Sequence, residues 1–293
     1  MELANLAAFI AVADCGGFSA AAHHIHLTQP AISKRIAQLE DGLQARLFDR
    51  IGRQSSLTEA GRILLPKARA LLADADAARH ALQDLKAEVG GSLRLACSHH
   101  IGLHRLPTVL RRYTATYPNV ALELRFMESE QALDEVLQAR VDLALTTLGT
   151  TRWTLPAPLR ATPVWEDSLC CVAGADHPLI RRKRLKPAQL AAHPAVLPEP
   201  QTFTHRIIAD AFARHGLSLQ LRMTTNYLET LKMLASTGLA WSVLPRSMLD
   251  HGLQVLPVSG LRLHRQLGCV THAGRTLSRA AQALQVLLRE GAG

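Results

Sequence analysis

The sequence predicts an α/β protein in two parts: a helical N-terminal segment and a larger region of alternating strands and helices, joined by one long helix. Apolar spacing is helical almost throughout residues 1–89, whereas beyond Gly90-Gly91 short β-like runs alternate with helical stretches. Between them lies an unbroken heptad pattern. With 293 residues, 48% of them apolar, the chain can bury a sizeable core and has the length of about two domains. No apolar run approaches the ~20 residues of a membrane span. The opening MELANLAAFIAVAD carries Glu2 and Asp14 and no basic stretch, so no membrane association and a cytoplasmic location are expected. Five cysteines without a CxxC imply neither a disulfide framework nor a zinc knuckle. With no Walker loop and no GxGxxG either, no metal and no cofactor is expected.

The elements follow in order. Leu3, Leu6, Phe9, Ile10 and Ala13 form one helical face that should stop at Gly16-Gly17. A second, very short helix is expected behind Ser19 as N-cap, with Ala20-Ala21-Ala22 allowing close approach of a neighbour. A third begins with Thr28 as cap and Pro30 in its first turn, buries Ile32, Ile36, Leu39 and Leu43, and turns Gln29, Ser33, Lys34 and Arg35 outward. Two short helices across a tight turn, the second with small polar and basic side chains near its start, describe a helix-turn-helix. Residues 47–57 read as a hairpin whose tip carries Arg50, Gly52 and Arg53, suited to a phosphate backbone or a minor groove. Thr58 caps a helix reaching about Glu88. In it Leu64, Ala68, Leu71, Ala75, Ala78, Leu82 and Leu85 form a heptad seam, interrupted by no charge but with Pro66 alongside, that reads as a coiled-coil dimer surface.

Leu6-Ala7-Ala8-Phe9, Gly17-Phe18-Ser19-Ala20-Ala21-Ala22, Leu27-Thr28-Gln29-Pro30-Ala31-Ile32-Ser33, Leu39-Glu40, Leu47-Phe48, Arg50, Arg53 and Leu57-Thr58-Glu59-Ala60-Gly61 together resemble the LysR-type transcriptional regulators. The family's usual glycine after Leu43 is Gln44 here. The resemblance implies sequence-specific binding to double-stranded promoter DNA, with Thr28, Gln29 and Pro30 opening the recognition helix in a major groove. It also implies a homodimer through the linker helix, paired further into a tetramer.

Beyond residue 90, Leu106-Pro107, Tyr117-Pro118, Val141-Asp142-Leu143-Ala144-Leu145 and Gly238-Leu239-Ala240-Trp241-Ser242-Val243-Leu244-Pro245 resemble the family's effector domain. The implied architecture is a winged helix-turn-helix over 1–57, a linker helix over 58–89, and a two-lobed, periplasmic-binding-protein-like α/β effector domain over 90–293. Lobe I would take about 90–161 and 268–293, and lobe II about 162–267. The strand runs 92–97, 120–126, 141–147, 168–174, 195–198 and 240–245 predict a mainly parallel sheet. Ligands of such lobes lie at strand carboxyl ends beside helix N-termini, which selects Ser98, His99, His100, Thr202, Thr204, Arg206 and Asn226. Ser98, Thr204 and Asn226 are equally competent helix caps.

The charge sharpens the effector. The net charge is +9, residues 1–89 balance, and the whole excess therefore falls beyond them. The selected loops hold hydroxyls, histidines and Arg206 and no carboxylate, so a small anion is the expected effector, with His100 a candidate source of pH-sensitive affinity. Other readings are a thiol-based redox sensor using Cys97, a solute-binding protein, or a hydrolase. The last lacks a G-x-S-x-G elbow, and no catalytic residue is expected.

Overall fold

The computed structural model describes residues 2–51, 54–83, 89–149 and 155–291. It comprises two compact units: Met1–Glu88 with 138–140 and 275–279, and the remainder.

In the first unit α1 (Leu3–Cys15) ends at Gly16, whose φ of 70° is the left-handed conformation glycine adopts without strain. Helix α2 (Phe18–His24) follows with Gly17, not Ser19, at its N-cap and no side-chain cap bond. Helix α3 (Gln29–Leu43) starts as its sequence dictates: Thr28 Oγ1 accepts from the Ala31 amide at 3.4 Å, and Pro30 occupies the first turn. Gln44 takes φ 51° at its end, the backbone role for which glycine is better suited. Ile32, Ile36 and Leu39 are buried, but Leu43, on the last turn, is 38% exposed. Strands β1 (Phe48–Ile51) and β2 (Gln54–Leu57) pair antiparallel as the wing. The Phe48 ring packs 5.4 Å from Phe9 and 5.7 Å from Phe18, centroid to centroid, and Glu40 accepts from the Leu47 amide at 2.7 Å, so the wing is pinned to the helices. Helix α4 (Glu59–Gln83) opens with Thr58 Oγ1 accepting from the Gly61 amide at 3.0 Å. A side chain at Gly61 would strike the Leu47 carbonyl oxygen at 2.3 Å, so this crossing requires glycine.

The second unit runs β3 (Gly91–Ser98), α5 (His99–His104), α6 (Leu106–Thr116), β4 (Val120–Met127), α7 (Ser129–Leu137), β5 (Leu143–Thr147) and β6 (Leu159–Ala173). It continues through α8 (Pro187–Ala191), β7 (Ala195–Leu197), α9 (Phe203–Ala213), β8 (Leu221–Thr224), α10 (Leu228–Ser236), β9 (Ser242–Pro245), β10 (Gln254–Val255), β11 (Leu263–His272) and α11 (Arg279–Glu290). The large sheet has the order β10-β6-β11-β5-β3-β4, with β9 also on β6, and β7 pairs β8 separately. β4 and β5 lie parallel to β3, but every pairing of β6 or β11 is antiparallel. The expected mainly parallel sheet is therefore mixed. Its cause is β11, which returns alongside β6 from Leu263 opposite Leu169 to His272 opposite Leu159. A chain that leaves along one strand and comes back along its neighbour must pair antiparallel. One apolar core centres on Ile208, Phe212, Trp241 and Val243; another joins Ala96, Val136, Val141 and Val270. The carboxyl ends of β3 and β7 and the start of α9 surround the site.

Candidate functional site

In the first unit, the start of α3 presents Gln29, Pro30 and Lys34 exposed, with Ser33 and Arg35 half-exposed beside them. Gln29 Oε1 accepts from Ser19 Oγ at 3.3 Å, which orients the glutamine across the turn. Arg50 lies on β1, and Arg53 lies outside the described residues. The heptad seam divides. Ala68 is buried in the unit's own core and Leu64, half-buried, packs against that core, whereas Leu71 is 42% exposed and Ala78 is exposed. Leu82 belongs to the same helix, and Leu85 lies outside the described residues.

In the second unit, Ser98, His99, His100, Thr202, Thr204 and Asn226 line one cavity of about 120 Å³. Arg206 does not line it; the cation there is Arg265, near the start of β11. Arg265 is 5% exposed, and its Nε donates to Asp167 Oδ2 at 2.8 Å while Nη1 donates to Thr204 Oγ1 at 2.7 Å. Its Nη2 is buried with no partner. Burial pushes the guanidinium pKa down and Asp167 opposes the shift; a guanidinium stays protonated regardless. Asp167, 2% exposed, also lies 3.6 Å from Arg105 and 3.7 Å from His100 Nε2. Both His100 ring nitrogens are buried without a hydrogen bond. Burial, then the charges of Arg265, His104 and Arg105, hold its pKa down to about 2. Held neutral in this way, the imidazole argues against the pH-sensitive affinity that the sequence suggested for it.

Capping explains part of the set. Thr202 caps α9 by accepting from the His205 amide at 3.2 Å, and Asn226 spends its side-chain oxygen on the Glu199 amide at 3.0 Å rather than on α10. Ser98 makes no side-chain cap bond, so its hydroxyl is uncommitted at the mouth of α5. The cavity also holds Glu128, Glu130 and Glu229. Reading the loops had found no carboxylate; these three arrive from the starts of α7 and α10.

Cys97 is fully buried, its Sγ 3.4 Å from the Ser98 carbonyl oxygen, and burial pushes its thiol far up, the opposite of the exposed thiolate a redox sensor needs. Ser98 and His100 form no hydrogen bond that would activate a nucleophile. Among the described residues no group of His, Cys, Asp and Glu could hold a metal ion, and no single helix is long and apolar enough to cross a membrane.

Two family models match: the bacterial regulatory helix-turn-helix protein, lysR family, over residues 3–62, and the LysR substrate binding domain over residues 86–293. The chain belongs to the LysR family of transcriptional regulators. As a LysR regulator it is a DNA-binding protein that controls transcription and carries an effector-binding domain. It is 33% identical over 299 residues to the SDS degradation transcriptional activation protein of a Pseudomonas species, covering 98% of this chain and 95% of that one. An uncharacterized HTH-type transcriptional regulator of Azotobacter vinelandii is 62% identical over 107 residues, covering 36% of this chain and 74% of that one. The fold matches full-length OxyR from Pseudomonas aeruginosa with a TM-score of 0.74 at 21% identity, over 99% and 98% of the two chains.

Sequence reading of this LysR effector domain missed Arg265 and Asp167. A signal existed. In β11 Leu263, Arg265 and Leu267 are buried while His264 and Gln266 are exposed, and in β6 Trp165, Asp167 and Leu169 alternate with Glu166 and Ser168 in the same way. A charged residue at buried parity on each of two strands is a pairing signal.

Proposed function

We propose that this regulator binds a small anionic effector in the cavity bounded by β3, α5, α9 and β11, and that the bound anion shifts an equilibrium between two arrangements of the protein that differ in promoter binding. One observation carries the reading: Arg265 Nη2 and both His100 nitrogens are buried in the cavity wall with their hydrogen-bonding capacity unused. Buried polar groups are normally satisfied. A carboxylate or oxyanion accepting from Arg265 Nη2, from one His100 N–H and from Ser98 Oγ satisfies the guanidinium and the imidazole donor together, while Thr202, Thr204 and His99 shape the wall and Asn226 holds the adjoining loop through Glu199. Arg206 has no part in it.

Residues 1–57 act as the DNA-reading domain, 58–89 as the linker and 90–293 as the effector domain. Gln29, Ser33, Lys34 and Arg35 read or steady the major groove behind Thr28 and Pro30, and Arg50 and Arg53 grip the backbone from the wing. Leu71, Ala75, Ala78, Leu82 and Leu85 pair two chains as a homodimer, and dimers pair into tetramers. The protein acts by binding and performs no reaction. The test is a thermal-shift screen of small carboxylates, phosphate and sulfate on wild type and Ser98→Ala. The expected result is a stabilising anion whose affinity falls about tenfold in the variant, matching one lost hydrogen bond to a charged group. A ligand that stabilises both proteins equally would place effector binding elsewhere.

A further inference from the structure

An anion occupies one end of the cavity and leaves the other unexplained. Of its three glutamates, Glu229 lies 3.0 Å from His104, and Glu130 uses one oxygen to accept from the Phe203 amide at 2.6 Å. Glu128 has no side-chain hydrogen bond or ion pair among the described residues. It is half-buried, and burial followed by the charges of Glu130 and Glu199 pushes its carboxyl up to about 6. Among the described residues lining the cavity Arg265 is the one lysine or arginine, and Asp167 already holds it. Carboxylates gathered in this way are relieved by a proton or by a cation between them.

The cavity is therefore bipolar, with unused N–H groups of Arg265 and His100 at one pole and the unpartnered Glu128 beside Glu130 at the other. The start of α9 joins the poles: Phe203 donates its amide to Glu130, and the next residue, Thr204, accepts from Arg265. Bond lengths along that path then limit the separation of the Glu130 oxygen and the Arg265 nitrogen to at most about 14 Å. A volume of about 120 Å³ is slightly below that of a cavity that accepts benzene, ~150 Å³, so the ligand is small. Leu103, Phe203 and Tyr227 supply apolar wall for a short side chain.

Resting on the anion site above, we propose that the effector is a short amino-carboxylate, an α-amino acid or close relative. Its carboxylate meets Arg265 and His100, and its ammonium group meets Glu128 and Glu130. The experiment is calorimetry and thermal shift on the full chain with the common L-amino acids, β-alanine and 4-aminobutyrate, each compared with its deaminated acid and its decarboxylated amine at up to about 10 mM. At least one amino acid should bind, with both matched compounds weaker by about tenfold or more. Glu128→Gln should weaken the amino acid by about tenfold and leave its deaminated acid unchanged. Deaminated acids binding as well as amino acids would overturn the zwitterion and leave the anion site standing. An amino acid whose preference over its deaminated acid survives Glu128→Gln would overturn the placement of the ammonium group. Binding of amines alone, or of nothing in the panel, would overturn the amino-carboxylate, and a stabilising phosphate or sulfate in the screen above would still leave the anion site standing.

Discussion

Asp167 is the charge that allows Arg265 to stand inside the proposed effector cavity, and Asp167→Asn measures how much the domain depends on it. The carboxylate is 2% exposed and takes the Arg265 Nε bond at 2.8 Å, with Arg105 at 3.6 Å. Asparagine keeps the volume and one acceptor oxygen but removes the charge, leaving a guanidinium 5% exposed with a hydroxyl and an amide oxygen for company. Breaking a buried pair in this way costs about 3–5 kcal/mol, and the retained hydrogen bond returns about 1 kcal/mol, so the net loss should be about 2–4 kcal/mol. At about 2–4 °C per kcal/mol for a domain of this size, the melting temperature should fall by roughly 4–16 °C. Thermal and urea unfolding followed by circular dichroism at neutral pH provide the measurement. The double variant Asp167→Leu/Arg265→Met, which removes both charges, should regain much of the loss, because a buried pair replaced by apolar volume is often close to neutral. A loss below about 1 kcal/mol, or a double variant less stable than the single one, would refute the view that these two charges stand or fall together.

His100 is neutral in the native protein with a pKa held to about 2 against an ordinary 6.5, so its contribution is fully present above pH 6.5 and is lost as pH falls from there toward 2. His100→Asn should flatten the acid limb of the stability curve, by about 1.4 kcal/mol per pH unit once pH is below about 5.5, and an unchanged limb in urea titrations would show that the ring protonates in place. Gln29→Ala should relax discrimination at one base pair by about 1–3 kcal/mol, and Lys34→Ala should weaken all sequences alike and reduce the salt slope; identical footprints and slopes in both would move the DNA surface off α3. Leu71→Glu sets like charges across the proposed two-fold seam on the exposed side of α4, so light scattering should report loss of the dimer together with weaker promoter binding. A fully dimeric variant would assign assembly to another surface.

The N-terminal unit was legible because its signals are local. Thr28 and Pro30 start α3, glycine stops α1, and Thr58 caps α4, each acting within a turn of its own position. What was not legible depends on neighbours. Ser19 has the chemistry of a cap, but the backbone enters α2 one turn-corner earlier, at Gly17, where no side chain is needed. The heptad on α4 is real, yet a periodic stripe does not say which turns face which partner. Ala68 was claimed by the core of its own unit, whereas Leu71 and Ala78 on the same stripe are exposed.

The cavity shows the same limit in a sharper form. Ser98, His100, Thr202 and Thr204 were findable because strand ends and helix starts are marked in sequence, and fold rules send such places to one cleft. The cation was misassigned to Arg206 because it follows those threonines directly, while the guanidinium that reaches Thr204 comes from Arg265, 61 residues further along the chain. Its counter-charge, Asp167, lies 98 residues from it and meets it only through the antiparallel register of β6 and β11. The cavity's glutamates were missed for a separate reason, since Glu128 and Glu130 lie at the start of α7 and Glu229 in the first turn of α10, outside the loops that strand ends select. A net positive charge describes what diffuses toward a protein, whereas ligand sign is set by the few groups that close on one cavity, and here the excess of basic residues sits elsewhere, on surfaces such as the exposed Arg181–Arg184 stretch. On the proposed reading, the effector's chemistry is written in unsatisfied atoms: an arginine nitrogen, an imidazole N–H and one glutamate, each costly to bury alone and each met by one end of the same small molecule.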